Sequence, residues 1–167
     1  MTKKTDIFVA IDTQSQENAK KLIGQLNNKY CGIKIGKELF TSCGPEIVQW
    51  VKSEGFEVFL DLKFHDIPNT VVKACEAASK MNVDIMNVHA LGGKEMMSAA
   101  KNAISNQQIK LIGVTLLTSH DQNFMTEVGL HGSIDDCVKK LAINAAESGL
   151  DGIRLRCVLQ RQLQSLP

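Results

Sequence analysis

Short apolar runs rich in β-branched residues alternate along the chain with longer segments whose apolar positions recur every three or four residues. Residues 7–11 predict a first strand, and 16–26 a helix with Ala19, Leu22, Ile23 and Leu26 on one face. A second strand is expected over 31–35, then a helix around Trp50 carrying Ile47, Val48 and Val51. Residues 56–62 predict a third strand, and Pro68 suits the first turn of a helix holding Val71, Val72, Cys75 and Ala78. A fourth strand over 83–88 leads through Gly92 and Gly93 to a helix with Met96, Met97 and Ala100. Residues 111–117 predict a fifth strand. Ser133, with Asp136 three positions on, predicts a capped helix reaching about residue 148, and the turn at 149–152 feeds a sixth strand starting at Ile153. Repeated βα order calls for an α/β fold with a parallel sheet under helices, and nothing divides residues 1–167 into more than one domain.

The polar residues fall at one end of this pattern. Asp12 follows the first strand, and Lys34 lies between Ile33 and Ile35, facing the opposite way from both. Asp61 and Lys63 share a face at the end of the third strand, Asn87 and His89 share one on the fourth, and Thr118 and Ser119 follow the fifth. In a βα barrel the chemistry sits at the carboxyl ends of the strands, so a shared mouth is expected there. Each residue also has a plainer use. Asp12 suits a turn or cap, His89 a hydrogen-bonded support, Gly92-Gly93 a turn, and the methionines core filling. Lys34 resists such a reading, because an ammonium inside an apolar strand must be solvated or paired. Asp61-x-Lys63-x-x-Asp66 also resists, since three charges of alternating sign follow an apolar strand directly.

Composition narrows the class. The chain has 167 residues, 44% hydrophobic, and 19 basic against 18 acidic side chains give a formal charge of +1. Neither a nucleic-acid surface built on bulk charge nor a bilayer-spanning segment of ~20 apolar residues is expected. Five cysteines, odd in number and without a CxxC pair, read as reduced thiols of a cytoplasmic protein.

At these residues the sequence resembles the orotidine 5′-monophosphate decarboxylase family. The central match is Phe59-Leu60-Asp61-Leu62-Lys63-Phe64-His65-Asp66-Ile67-Pro68-Asn69-Thr70. Ile11-Asp12, the run from Ile33 to Phe40 with Gly44-Pro45, Asn87-Val88-His89-Ala90, and Val114 to Ser119 follow in family order. The resemblance implies a (β/α)8-barrel fold and a cofactor-free, metal-free decarboxylation of orotidylate to uridylate. It implies Lys63 as proton donor to C6, Asp61 facing the substrate carboxylate, and Lys34 and Asp66 completing the array. Asp12 and Lys34 would contact the ribose, and Thr118 or Ser119 the pyrimidine. A homodimer is implied, with Asp66 and Thr70 reaching the neighbouring site.

The recognisable motifs run from Asp6 to Gly152. Residues 153–167 diverge, so five to six βα units of a partial barrel with an open side are expected, and a truncation or shifted reading frame would explain the tail. The family's phosphate-binding loops after strands seven and eight have no match here, and Arg154, Arg156 and Arg161 are not assignable to them. Two other readings follow: a magnesium-dependent sugar-phosphate decarboxylase or aldolase sharing the DxKxxD layout, and a non-catalytic remnant.

Overall fold

The computed structural model describes residues 7–106 and 108–154. Six strands, β1 (Phe8–Ile11), β2 (Gly32–Gly36), β3 (Val58–Phe64), β4 (Ile85–His89), β5 (Lys110–Val114) and β6 (Gly152–Arg154), pair in parallel and in sequential order. Each parallel pairing needs a crossover, and helices supply it. These are α1 (Gln16–Ile23), α2 (Lys37–Cys43), α3 (Pro45–Ser53), α4 (Pro68–Ser79), α5 (Gly93–Ala103), α6 (Gln122–Glu127) and α7 (Ile134–Glu147). The result is an α/β partial barrel, with β1 and β6 as its two edges among the described residues.

Register explains why one face is apolar. Ile11, Ile35, Leu60, Met86 and Leu111 lie abreast across five strands, and all are at most 2% exposed. They meet the helix residues that periodicity picked out, among them Ile23, Val48, Val51, Cys75, Met97 and Ala100. The opposite row reads Ala10, Lys34, Phe59, Ile85 and Lys110, and it borders the concave interior. At the amino end of that interior the Phe8 ring lies over Gly32 and meets Phe59 edge-on at 6.0 Å. A Cβ on Gly32 would come within 2.5 Å of the Phe8 ring, so glycine is what lets the ring lie there.

The amino ends of the strands are fastened by a device used twice. Asp84 accepts the Val58 N–H of β3 at 2.6 Å and pairs with Lys52 of α3 at 2.7 Å. Asp151 accepts the Leu111 N–H of β5 at 2.8 Å and pairs with Lys101 of α5 at 2.6 Å. In each case the aspartate just before a strand holds the start of the preceding strand and the helix that leads into that preceding strand.

Several expectations are corrected. Strand β3 runs to Phe64, two residues beyond its expected end. Strand β5 stops at Val114, because its neighbour β4 ends opposite it at His89 and turns into a 3₁₀ segment, Ala90–Gly92. Leu22 is 47% exposed, since Ala19 and Ile23, four apart, define the buried face of α1. Helices α2 and α6 have no periodic signature in the sequence. Each is at most seven residues long and buries one side chain, Leu39 and Met125 respectively. The Ser133 cap is present: its Oγ accepts the Asp136 N–H at 3.1 Å. Cys31, Cys43, Cys75 and Cys137 are free thiols, and burial pushes the Cys75 thiol up to about 12, which leaves it unreactive. Cys157, Arg156, Arg161 and most of the 153–167 tail lie outside the described residues.

Candidate active site

Asp61 is the hub. Its position on β3 turns it inward, two residues after Phe59, and its side chain is 3% exposed. A carboxylate so buried needs donors, and it has them on both oxygens. Oδ1 accepts Lys63 Nζ at 2.7 Å and Asn87 Nδ2 at 2.6 Å. Oδ2 accepts Arg154 Nη1 at 2.8 Å and lies 3.5 Å from Lys34 Nζ. Burial on its own would raise the Asp61 pKa. Hydrogen bonds from Lys63 and Asn87, with the charges of Lys63 and Arg154, outweigh it and bring the carboxyl down to about 2. Asp61 is therefore ionised at neutral pH.

Lys63 sits in a conformation that β-strand residues avoid. Its φ is +51°, in the left-handed region, and the β3–β4 register shifts between Leu60 and Phe64. Such a backbone costs of order 1–3 kcal/mol for a residue with a Cβ. Asn87, fully buried, holds it: its Oδ1 accepts the Lys63 N–H at 2.7 Å while its Nδ2 donates to Asp61. One amide thus fixes both the strained backbone and the carboxylate that pairs with the lysine side chain.

The remaining expected residues divide into two groups. Lys34 joins the array from β2 and also lies 3.8 Å from Asp12, whose side chain is 65% exposed. Thr118 and Ser119 line a cavity of about 250 Å³ with Lys63 and Arg154. Asp66 and Thr70 are not brought to the array. Asp66 is exposed on the loop after β3, where its Oδ1 accepts the Ile67 N–H at 2.7 Å, and Thr70 is exposed in the first turn of α4. His89 serves as a support. It is 8% exposed, accepts the Leu91 N–H through Nδ1 at 3.4 Å and stacks on His65 at 5.4 Å. Burial, reinforced by His65, His120, Lys37 and Lys63, pushes its pKa down to about 4, so it is neutral at pH 7.

Sequence reasoning assigned no role to Asn87 and placed Arg154 among unassignable residues of the tail. Asn87 was legible as a polar residue inside an otherwise apolar strand. Arg154 needed the register: it lies opposite Val114, which lies opposite His89, and so faces the interior. Among the described residues, no group of three or more His, Cys, Asp or Glu side chains could hold a metal ion. No described helix is long and apolar enough to cross a membrane.

Parallel strands in sequential order with a buried charged array at their carboxyl ends define a βα-barrel scaffold. The chain belongs to the orotidine 5′-phosphate decarboxylase / HUMPS family, whose sequence model matches residues 5–165. It is 49% identical over 147 residues to the orotidine 5′-phosphate decarboxylase of Nitrosospira multiformis, covering 88% of this chain and 62% of that protein. With the Nitrosococcus oceani decarboxylase it shares 48% over 152 residues, 90% of this chain and 66% of the relative. The chain thus spans a little under two thirds of the length of these relatives. The solved structure of the Lactobacillus acidophilus orotidine 5′-phosphate decarboxylase superposes with a TM-score of 0.87 at 32% identity, over 96% of this chain and 75% of that one. An uncharacterized conserved protein from Geobacillus kaustophilus superposes at 0.83 with 37% identity, covering 88% and 72%.

Proposed function

We propose that the chain decarboxylates orotidine 5′-monophosphate to uridine 5′-monophosphate, with Lys63 delivering a proton to C6 of the pyrimidine. The observation that carries this reading is the 2.7 Å pairing of Lys63 with buried, ionised Asp61, with Lys34 on the same carboxylate.

Loss of carbon dioxide places negative charge on a ring carbon with no adjacent electron sink. A fixed ammonium at that carbon stabilises the charge as it develops and then supplies the proton. Such help speeds reaction only where it is stronger in the transition state than with bound substrate. Asp61 meets that requirement in sign, because its repulsion of a substrate carboxylate disappears as neutral carbon dioxide leaves. In this reading Asp12 and Lys34 hold the ribose, and Thr118 and Ser119 in the cavity wall hold the pyrimidine. Asp66 and Thr70, exposed and away from the array, complete the neighbouring site of a homodimer in the cytoplasm. Both Asp61 oxygens are occupied by nitrogen donors, which favours this chemistry over the magnesium-dependent one.

The test is orotidylate turnover by the purified chain, with calorimetric titration of 6-hydroxyuridylate, a carbanion mimic. Wild type is expected to bind the mimic and release carbon dioxide with a chelator present, and Lys63→Ala to lose at least about a hundredfold in kcat, as expected for removal of a general acid. A folded wild-type chain that neither binds the mimic nor turns over would make the array a non-catalytic remnant.

A further inference from the structure

The β3–β4 ladder breaks at the array, and one residue of β4 faces the break. Leu60 is level with Met86 and Phe64 with Val88, so β3 advances four residues while β4 advances two. Asn87 therefore stands opposite Asp61, Leu62 and Lys63 together. A bulge of this kind re-aims side chains and leaves backbone groups of the longer strand without ladder partners. Here the Lys63 N–H goes to a side chain instead of a β4 carbonyl: Asn87 Oδ1 accepts it at 2.7 Å. An L-residue leaves the left-handed region unless something holds it there, and Lys63 is held at φ +51°. From that backbone its Nζ meets Asp61 Oδ1 at 2.7 Å, and a relaxed backbone would redirect the Cα–Cβ bond and the ammonium with it. The other end of the same strand pair offers a comparison. Asp84 also accepts a β3 N–H, that of Val58 at 2.6 Å, but Val58 lies ahead of the break.

We propose that Asn87 is a positioning residue for the reaction: by holding the bulge it fixes where the Lys63 ammonium stands, and so sets the rate of proton delivery. The proposal rests on the decarboxylase reading and adds a requirement which that reading does not contain. Proton delivery demands that the ammonium sit within about 3–3.5 Å of the receiving carbon and in line with it. A lysine side chain is a flexible four-carbon stem, so it is fixed by its two ends, the backbone below and the partner of the ammonium above. Asn87 holds both ends, the backbone through Oδ1 and the partner through Nδ2, which donates to Asp61 at 2.6 Å. Because both bonds come from one planar amide, the spacing between the Lys63 backbone and the Asp61 carboxylate is fixed as well. Asn87 acts through the acid and its partner and needs no contact with the substrate.

The test uses the full chain and compares two variants. Asn87→Ser shortens the side chain so that it cannot span both partners, and Asp84→Ala removes the other side-chain acceptor of a β3 N–H. In Asn87→Ser, kcat and kcat/KM for orotidylate are expected to fall together by about a hundredfold, as for a misplaced reacting group, with KM nearly unchanged. Asp84→Ala should lower the urea midpoint yet keep both constants within about twofold of wild type. The Lys63 Nζ resonance gives a readout that needs no turnover: Asn87→Ser should move it and Asp84→Ala should not. In the wild-type chain, scalar coupling between the Lys63 amide and the Asn87 carboxamide should be detectable, a result independent of how well any variant folds. Wild-type kcat in folded Asn87→Ser, an equal loss in Asp84→Ala, an unmoved Lys63 resonance or absent coupling would each overturn the proposal. A wild-type chain without turnover would instead remove the decarboxylase reading, and a Lys63 resonance that moves only in Asn87→Ser would still identify Asn87 as the residue that places the lysine.

Discussion

Asn87 does more for the site than its neutral chemistry suggests. Its amide meets the Lys63 backbone and the Asp61 carboxylate from a fully buried position. Asn87→Ala would leave a left-handed Lys63 without its restraint and a buried carboxylate short of a donor. A loss of about 2–4 kcal/mol is expected in urea unfolding, since a buried charged group losing a partner is penalised more than a neutral one. Asn87→Asp should be worse, because it sets a second negative charge against Asp61. His89 gives a pH signature. Its folded pKa of about 4 lies below the ordinary 6.5, so between those values the unfolded chain takes up a proton that the folded chain refuses. Stability is then full above about pH 6.5 and falls as pH drops toward 4, by at most about 1.4 kcal/mol per pH unit for this group. Urea midpoints at intervals from neutral to acidic pH should show that slope, and His89→Gln should flatten it.

At the scale of elements, the paired use of Asp84 and Asp151 shows how a βα unit is fastened at its base. Asp151→Ala removes the Leu111 N–H acceptor and strands Lys101, and its carboxyl sits below the ordinary range, with burial opposed by Lys101 and the Leu111 amide. A loss of about 1–3 kcal/mol is expected in denaturant titration, with β6 loosened most. Much of this level was legible in the sequence. Five strands and the helices after them follow from apolar period, because these elements bury a continuous stripe against one another. Helices α2 and α6 did not follow, since a segment that buries one residue leaves no period to detect. The array members Asp61, Lys63 and Lys34 were legible because burying a charge in a strand demands a partner. Arg154 was not, because its partner lies three strands away and only the sheet's register brings the two together.

For the whole molecule, the arrangement divides labour between two ends. Aspartate–lysine clasps hold the amino ends of the strands, and the charged array occupies the carboxyl ends. Among the described residues, β1 and β6 each pair with one neighbour, whereas β2 to β5 are flanked on both sides. Hydrogen exchange should follow that division. Amides of β2 to β5 are expected to exchange near the global unfolding limit, and those of β1 and β6 by local opening. Equal protection across all six strands would show that both edges are covered in solution by further contacts.

The reach of Arg154 carries a consequence for how the molecule assembles in time. In a flat sheet β6 and β3 would stand ~14 Å apart, farther than one side chain extends, so the 2.8 Å bond to Asp61 exists only because the strands curl toward each other. Strand partners such as Phe8 with Gly32, or Ile112 with Gly152, are 24 and 40 positions apart in the chain, but Arg154 and Asp61 are separated by 93. Closing the longer loop carries the larger entropic penalty, and it becomes favourable only after the intervening strands have paired. The bond is therefore a late event in folding, with little of its stabilisation present at the rate-limiting barrier. Weakening it should speed unfolding while leaving the refolding rate nearly untouched. The lifetime of the folded site, more than the ease of reaching it, is what this arginine governs.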